Sequence, residues 1–180
     1  MNTSVSNFSR EIGAQLKFAG IDDYPIESRQ LISYCMDWTQ RQYLSSLNLP
    51  IANDKRKRIE ALVKRRISRE PIQYILGSAS FYGRTFFVNP NVLIPRPETE
   101  LLVEQIVKFV KETNLEEPKI LDICTGSGII AISLAKELPS SNVTATDVSE
   151  KAIEVAKLNA LKHQADIKFI RENCKESISG

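Results

Sequence analysis

Residues 121–131 constrain the fold more than any other part of the sequence. They read Leu-Asp-Ile-Cys-Thr-Gly-Ser-Gly-Ile-Ile-Ala, an apolar run that enters a glycine turn and leaves it as the start of a helical pattern. Short apolar runs and helical periodicity then alternate. The pattern predicts strands over 119–124, 142–146 and 167–171, and helices over 129–138 and 150–162. This alternation predicts a parallel α/β sheet with right-handed crossovers.

The first part of the chain has a different periodicity. Apolar residues such as Phe8, Ile12 and Leu16 recur every three or four positions, as they do in amphipathic helices. The spacing predicts a small bundle of about four or five short helices up to Ser68. Pro25 suits the first turn of one helix, and Asp54 is the predicted N-cap of the last long one.

Aromatic and β-branched residues around Gly83 mark the middle of the chain. They predict a β-hairpin over 77–91, followed by a helix over 98–112. Its predicted core-facing residues are Leu101, Leu102, Val103, Ile106, Val107 and Val110. The predicted organisation is a helical domain over 1–78, a hairpin connection over 79–97 and an α/β domain over 98–180.

Composition excludes several classes of protein. Lys and Arg number 24 against 22 Asp and Glu, and a net charge of +2 does not by itself indicate a nucleic-acid partner. No stretch approaches the roughly 18 apolar residues of a membrane span, and no signal peptide is apparent, which predicts a cytoplasmic protein. Three scattered cysteines and one histidine, His163, have no metal-ligand spacing, so no metal is predicted.

The glycine turn has the chemistry of a nucleoside site. Gly126 and Gly128 permit a tight turn and leave room for a ligand beside the main chain at a helix N-terminus. Asp147 follows the next predicted strand. Because the carboxyl ends of adjacent parallel strands are neighbours, Asp147 is placed to accept both hydroxyls of a ribose held at the turn.

Two cofactor classes compete for this site, because Gly126-x-Gly128-x-x-Ala131 also satisfies the dinucleotide fingerprint of nicotinamide-dependent oxidoreductases. Asp122 favours the other class. Its carboxylate would repel a pyrophosphate but attract the sulfonium and ammonium groups of S-adenosylmethionine. A purely structural alternative also stays open, in which the glycines only make a tight loop and Asp122 caps a backbone.

Three stretches of the chain resemble the PrmC/HemK family of glutamine methyltransferases, which modify class I peptide-chain release factors. They are Arg-Glu-Pro-Ile-Gln-Tyr-Ile-Leu-Gly at 69–77, Ile-Pro-Arg-Pro-Glu-Thr-Glu at 94–100 after the aromatic run 81–88, and the glycine turn with Asp147 and Asn159-Ala160. The resemblance implies the first βαβαβ half of a doubly wound, Rossmann-like class I methyltransferase sheet. It also implies an N-terminal helical domain that engages the release factor.

The resemblance further implies site residues. Around the methionine part and ribose of S-adenosylmethionine it places Asp122, Cys124, Thr125, Gly126, Ser127 and Gly128. It places Asp147 on the ribose hydroxyls, and Asn173 and Cys174 near the adenine. Pro95, Arg96 and Glu98 line the floor of the cofactor and glutamine pocket. Cys124 stands where the family pattern often has glycine.

The family carries an Asn-Pro-Pro-Tyr motif after a fourth strand, and no Asn-Pro-Pro occurs in these 180 residues. Since that motif orients the glutamine amide, the 180-residue chain alone is expected to be inactive, and no catalytic residue is assigned within it. A fourth strand would pair with the first, so residues 120–123 are expected to form an open apolar edge. A non-catalytic cofactor- or partner-binding fragment remains an alternative.

Eight basic residues lie between Lys55 and Arg69 on one predicted helix. The simpler interpretation is a solvated helix face, and the functional one is an electrostatic contact with a release factor or ribosomal RNA. Cys124 and His163 are interpreted as packing or surface residues and not as a nucleophile and base, because neither has a paired partner nearby in the sequence.

Overall fold

A computed structural model describes residues 3–173, and its contacts divide the chain into two units between Leu76 and Gly77. The first unit is entirely helical. Its helices are α1 (Val5–Phe18), α2 (Tyr24–Met36), α3 (Gln40–Ser45), α4 (Asn53–Ile67) and α5 (Ile72–Leu76). The predicted apolar spacing is confirmed for α1, because Phe8, Ile12 and Leu16 are all fully buried in the core of this unit. The second unit holds the hairpin and the α/β segment.

Helix starts in the first unit follow local capping chemistry. The Ser4 side chain accepts from the Asn7 amide at the start of α1, and Thr39 and Gln42 form a capping box at α3. The prediction for α4 is wrong. Ala52, which makes no side-chain hydrogen bond, is the N-cap, and Asp54 lies in the first turn. A carboxylate there still interacts favourably with the positive end of the helix dipole.

The hairpin consists of β1 (Ser78–Phe81) and β2 (Arg84–Phe87), which pair antiparallel. Its two turn residues, Tyr82 and Gly83, have φ values of 48° and 68°. Positive φ at both positions matches the twist of a two-residue hairpin. Phe81 and Phe86 are buried in the same core as α6 and α7 residues, so the hairpin packs within the second unit.

The α/β segment follows the predicted order. It contains α6 (Glu98–Glu112), β3 (Lys119–Ile123), α7 (Ile129–Glu137), β4 (Asn142–Asp147), α8 (Glu150–His163) and β5 (Lys168–Arg171). The strands form one parallel sheet in the order β3-β4-β5. This is the βαβαβ arrangement of a Rossmann-like fold, and the predicted α/β class is confirmed. Within residues 3–173, no helix has both the length and the apolar character needed to cross a membrane.

The predicted core face of α6 is partly wrong. Val103, Val107 and Val110 are buried, whereas Leu101 and Leu102 are 60% and 48% exposed. The valines follow the four- and three-residue spacing of one helix face, and both leucines lie off that face. On β3, which among the described residues pairs only with β4, Leu121 and Ile123 are also exposed. An apolar surface therefore remains open on this edge strand.

Candidate functional site

The turn between β3 and α7 has an unusual backbone. Cys124, Gly126 and Gly128 have φ values of 63°, 57° and 80°. Two main-chain hydrogen bonds hold the turn: the Thr125 amide donates to the Thr146 carbonyl at 2.9 Å, and the Gly128 amide donates to the Thr125 carbonyl at 2.9 Å. The turn therefore lies against the carboxyl end of β4, where parallel α/β sheets bind their ligands.

The two glycines of the turn have different surroundings. A Cβ atom on Gly126 would meet no other atom within 4 Å. A Cβ atom on Gly128 would lie 3.1 Å from side-chain carbons of Ala156 and Ile132. Gly126 thus faces open space in which a ligand can approach the backbone, whereas Gly128 allows α7 to begin tightly against α8. The sequence did not distinguish these two roles.

Asp122 is a buried residue at the end of β3. Its Oδ2 atom accepts from Thr125 Oγ1 at 2.7 Å and from the Ala131 amide at 3.2 Å. Burial raises the pKa of Asp122; these hydrogen bonds oppose the shift, and the negative charge of Asp147 adds to it. The carboxylate thus joins the strand, the turn and the first turn of α7. It caps a backbone amide and brings negative charge to the site.

Asp147, at the end of β4, is joined to the turn directly. Its Oδ2 atom accepts from the Gly126 amide at 3.0 Å, and its Oδ1 atom accepts from the Ser149 amide at 2.9 Å. The residue is only half-buried. A carboxylate oxygen can accept a second hydrogen bond, so both oxygens retain acceptor capacity for a ligand.

The remaining predicted cofactor residues lie at different positions. Thr125 and Ser127 are buried in the turn, and Cys124 is exposed beside them. Asn173 lies just after β5, where the Glu172 amide donates to the Asp147 carbonyl at 3.1 Å. The structure thus brings the end of β5 next to Asp147. Cys174 lies outside the described residues.

The predicted pocket residues Pro95, Arg96 and Glu98 lead into α6, and Arg96 and Glu98 are exposed. The hydrogen bonds that Thr125 and Gly126 donate go to Asp122, Thr146 and Asp147 on β3 and β4 and not to this segment. Their neighbour Glu100 has a defined contact, since its Oε1 atom accepts from the Tyr82 amide at 2.8 Å. The segment is thereby tied to the hairpin.

Asn159 belongs to the Asn159-Ala160 pair noted for the family resemblance, but the sequence assigned it no role in the site. Its side chain, fully buried on α8, donates from Nδ2 to the carbonyls of Ser127 and Phe87, both at 2.9 Å. Its Oδ1 atom accepts from the Phe87 amide at 2.7 Å. A polar residue on the helix face that also carries the buried Ala152 and Ala156 was the available signal.

Four arginines among the eight residues of the predicted basic patch are paired within the first unit. Arg56 pairs with Glu11 and Glu60, Arg65 with Glu70, and Arg66 with the buried Glu27 at 2.7 Å. Arg69, just beyond the helix, donates to the Gly20 carbonyl at 3.1 Å. Much of this positive charge therefore stabilises the helical unit itself.

His163 has a packing role. Its ring centroid lies 4.7 Å from that of Phe86, and its Nε2 atom lies 3.1 Å from the Thr85 carbonyl. The histidine thus helps to hold the hairpin against α8. Among residues 3–173, no group of three or more His, Cys, Asp or Glu side chains is arranged to hold a metal ion.

Two domain families match successive parts of the chain. Residues 9–77 match the PrmC N-terminal domain, and residues 97–180 match the methyltransferase small domain. A release factor glutamine methyltransferase from Neisseria gonorrhoeae is 41% identical over 154 residues, covering 85% of this chain and 55% of that protein. Another, from Flavobacterium psychrophilum, is 58% identical over 106 residues, covering 58% of this chain and 37% of that protein.

Solved methyltransferase structures give partial matches. A SAM-dependent methyltransferase from Agrobacterium tumefaciens is 26% identical with a TM-score of 0.46, over 57% of this chain and 34% of that chain. A tRNA (uracil-54, C5)-methyltransferase from Pyrococcus abyssi, solved with S-adenosyl-L-homocysteine, is 27% identical with a TM-score of 0.42, over 52% of this chain and 22% of that chain.

The sequence relatives are more informative about the family. A third relative, a release factor glutamine methyltransferase from Staphylococcus aureus, is 44% identical over 133 residues, covering 74% of this chain and 46% of that protein. The chain spans about half, or less, of the length of these three curated relatives. Their similarity and the two successive family matches confirm the resemblance noted in the sequence. The chain belongs to the PrmC/HemK family of methyltransferases.

Proposed function

We propose that this chain contributes the cofactor site of an S-adenosylmethionine-dependent enzyme that methylates the side-chain amide of a glutamine in class I peptide-chain release factors. The observation that carries the proposal is the glycine turn bonded to Asp147, with open space in front of Gly126. The names of the relatives supply the release factor as substrate. The proposed setting is the cytoplasm, where release factors act.

Charge at the turn favours S-adenosylmethionine over a dinucleotide. Asp122 and Asp147 both place carboxylates beside the turn, and each influences the electrostatics of the site. A pyrophosphate would add negative charge to this pair, whereas a sulfonium and an ammonium group would offset it. When bound, S-adenosylmethionine supplies a methyl group already activated by its positive sulfur. The nicotinamide alternative is therefore the weaker one.

The proposed roles combine the positions of the described residues with the family resemblance. Gly126 lets the cofactor approach the main chain, and Asp147 accepts the ribose hydroxyls while holding the turn through the Gly126 amide. Asp122 holds the turn against the first turn of α7 through its hydrogen bonds to Thr125 and to the Ala131 amide. The other proposed cofactor contacts are Cys124, Thr125, Ser127, Gly128, Asn173 and Cys174. Pro95, Arg96 and Glu98 are proposed to line the glutamine pocket, and the helical unit is proposed to contact the release factor.

Binding of S-adenosylhomocysteine tests the site. Asp147→Ala is expected to weaken binding by about 1–3 kcal/mol, because the ribose hydroxyls lose a charged acceptor. Calorimetry on the wild type and the variant measures the effect. Asp166→Ala is the matched control, because Asp166 is an exposed carboxylate of the same unit that precedes β5. Equal affinity in all three proteins would contradict the proposed site.

Methyl transfer tests the substrate. In a protein that joins these 180 residues to a segment with the Asn-Pro-Pro-Tyr motif, labelled methyl groups from S-adenosylmethionine are expected to enter a purified class I release factor and not a version in which the acceptor glutamine is replaced by alanine. A wild-type protein that binds NADH but not S-adenosylhomocysteine would instead support the oxidoreductase alternative.

A further inference from the structure

We infer that Asn159 is a positioning residue for the cofactor turn, through which the β-hairpin and the turn are held as one assembly. The inference rests on the proposed function, since it concerns how the same turn is kept ready for its ligand. Asn159 lies on α8 and uses all of its donor capacity inside the protein. One N–H donates to the Ser127 carbonyl in the turn, and the other donates to the Phe87 carbonyl in the hairpin.

The first step concerns the peptide between Ser127 and Gly128. Its carbonyl accepts from Asn159 Nδ2 at 2.9 Å, and its N–H donates to the Thr125 carbonyl at 2.9 Å. Hydrogen bonds at both ends fix the orientation of the peptide plane. Gly128, which follows directly, has a φ of 80° and is the N-cap of α7. Rotation of this peptide would therefore change both the turn and the first amides of the helix.

The second step concerns the hairpin. The amide of Asn159 pairs with both the N–H and the carbonyl of Phe87, as a residue of a neighbouring strand would. This pattern also determines the orientation of the side-chain amide, because its nitrogen must face two carbonyls and its oxygen an N–H. No other proteinogenic side chain of this size offers two donors and an acceptor in that arrangement.

The third step is that α8 offers an internal control. Lys162 Nζ donates to the Thr85 carbonyl of the same hairpin strand at 2.7 Å, and it makes no hydrogen bond to the turn. Lys162→Met therefore removes a hairpin contact alone, whereas Asn159→Ala removes the hairpin contact and the turn contact together. The two variants separate attachment of the hairpin from positioning of the turn.

The experiment measures S-adenosylhomocysteine affinity by calorimetry in the complete protein. We expect Asn159→Ala to lose about tenfold or more, because a buried carbonyl of the turn loses its donor. We expect Lys162→Met to bind as the wild type does. Equal affinity of Asn159→Ala and the wild type would overturn the inference. Failure of the wild type to bind would overturn the proposed function, and this inference with it.

A pH readout tests whether affinity depends on a hydrogen-bond donor at position 159. In Asn159→Asp, an ionised carboxylate still accepts from the Phe87 amide but faces the two carbonyls without a proton to donate. Protonation restores one donor, and burial favours the protonated form. We expect the affinity of this variant, relative to the wild type, to recover as the pH falls from about 8 to about 5. A ratio that does not change with pH would contradict the positioning role.

A measurement on the wild type does not depend on whether any variant folds. Nuclear magnetic resonance follows the Asn159 side-chain NH₂ group and the Gly128 N–H group during addition of S-adenosylhomocysteine. We expect both signals to shift together, because they report on the two ends of the same hydrogen-bonded unit. Binding that leaves the Asn159 signal unchanged would overturn the inference.

Discussion

At the scale of single residues, the cofactor turn depends on backbone conformations that most side chains disfavour. Three of its five positions, Cys124, Gly126 and Gly128, have positive φ values. Only glycine adopts this region without a steric penalty, which costs other residues roughly 1–2 kcal/mol. The three positions differ in what surrounds them, and this difference leads to separate expectations.

Alanine at the two glycines should have different effects. Gly128→Ala adds a crowded contact with Ala156 and Ile132 to the conformational strain, so we expect the free energy of unfolding to fall by about 2–4 kcal/mol. Gly126→Ala meets no neighbour and should cost only about 1–2 kcal/mol, but its methyl group enters the open space in front of the turn. Urea denaturation and S-adenosylhomocysteine calorimetry measure the two effects. Equal loss of stability in both variants would contradict this distinction.

Cys124→Gly should stabilise the protein. Cys124 has a left-handed backbone conformation, with a φ of 63°, which is strained for a residue with a side chain. Glycine relieves this strain in the folded state but also gives the unfolded chain more conformational freedom, which offsets part of the gain. We expect a net gain of up to about 1 kcal/mol. Cys124→Ala removes the thiol but keeps the Cβ atom, so it should show no such gain. The midpoints of urea denaturation compare the three proteins, and a destabilised glycine variant would contradict the expectation.

At the scale of elements, the hairpin is held by three helices. Glu100 of α6 accepts from the Tyr82 amide, and Glu137 of α7 pairs with Arg84 at 2.8 Å. Three residues of α8 also contact the hairpin strand β2: Asn159, Lys162 and His163. Although the sequence places residues 79–97 as a connection, two phenylalanines of the hairpin complete a core shared with α6 and α7. The hairpin is thus a packed layer over the helices of the second unit.

The burial of His163 beside the hairpin makes stability depend on pH. Burial lowers the pKa of His163 below its usual 6.5, the Thr85 carbonyl opposes this shift, and Lys162, Arg84 and Lys136 add to the lowering. The unfolded chain therefore binds the proton more readily than the folded one. The stabilisation is fully present above the unfolded pKa and is lost as the pH falls through the lower folded value.

We therefore expect the free energy of unfolding of the wild type to decrease with falling pH below 6.5 more steeply than that of His163→Asn. The asparagine can still donate to the Thr85 carbonyl but does not titrate in this range. Urea denaturation across the pH range measures both slopes. Parallel pH profiles would show that His163 does not make this contribution.

At the scale of the whole molecule, the two units have separate cores. The core of the first unit contains residues from Val5 to Leu76, and the main core of the second unit contains residues from Phe81 to Phe169. In the first unit, the buried Glu27 and its ion pair with Arg66 also join α2 to α4. A unit that buries its own apolar face satisfies the physical requirement for independent folding.

A protein made of residues 1–76 should therefore fold alone. We expect a helical circular dichroism spectrum and one cooperative transition in urea, because the described residues of this core all lie between Val5 and Leu76. Glu27→Ala should lower the midpoint of that transition, since it leaves the Arg66 charge partly buried without its partner. A fragment that is unfolded, although soluble, would show that the first unit needs the rest of the chain.

Sequence periodicity determined much of this architecture. Helical spacing in the first unit and the alternation of apolar runs after residue 118 predicted the elements, because an amphipathic pattern buries a face whatever its partner is. The glycine turn and Asp147 were also recognisable, since few residue types fit a tight turn at a helix N-terminus. The errors concerned local details: the N-cap of α4, where Ala52 stands in place of Asp54, and the two α6 leucines, which lie outside the buried stripe.

The sequence predicted that Asp147 lies near the turn, but tertiary structure alone decided which hydrogen bonds form there. The bond from the Gly126 amide to Asp147 spans 21 positions, and the bonds between Asn159 and Phe87 span 72. No local pattern encodes such pairs, because hydrogen bonds depend on distance and direction that are set only when α8 packs against the hairpin and the turn. The sequence by itself therefore determined the type of site, a glycine turn beside carboxylates. The packing of α8 decided that one buried asparagine holds the turn and the hairpin together.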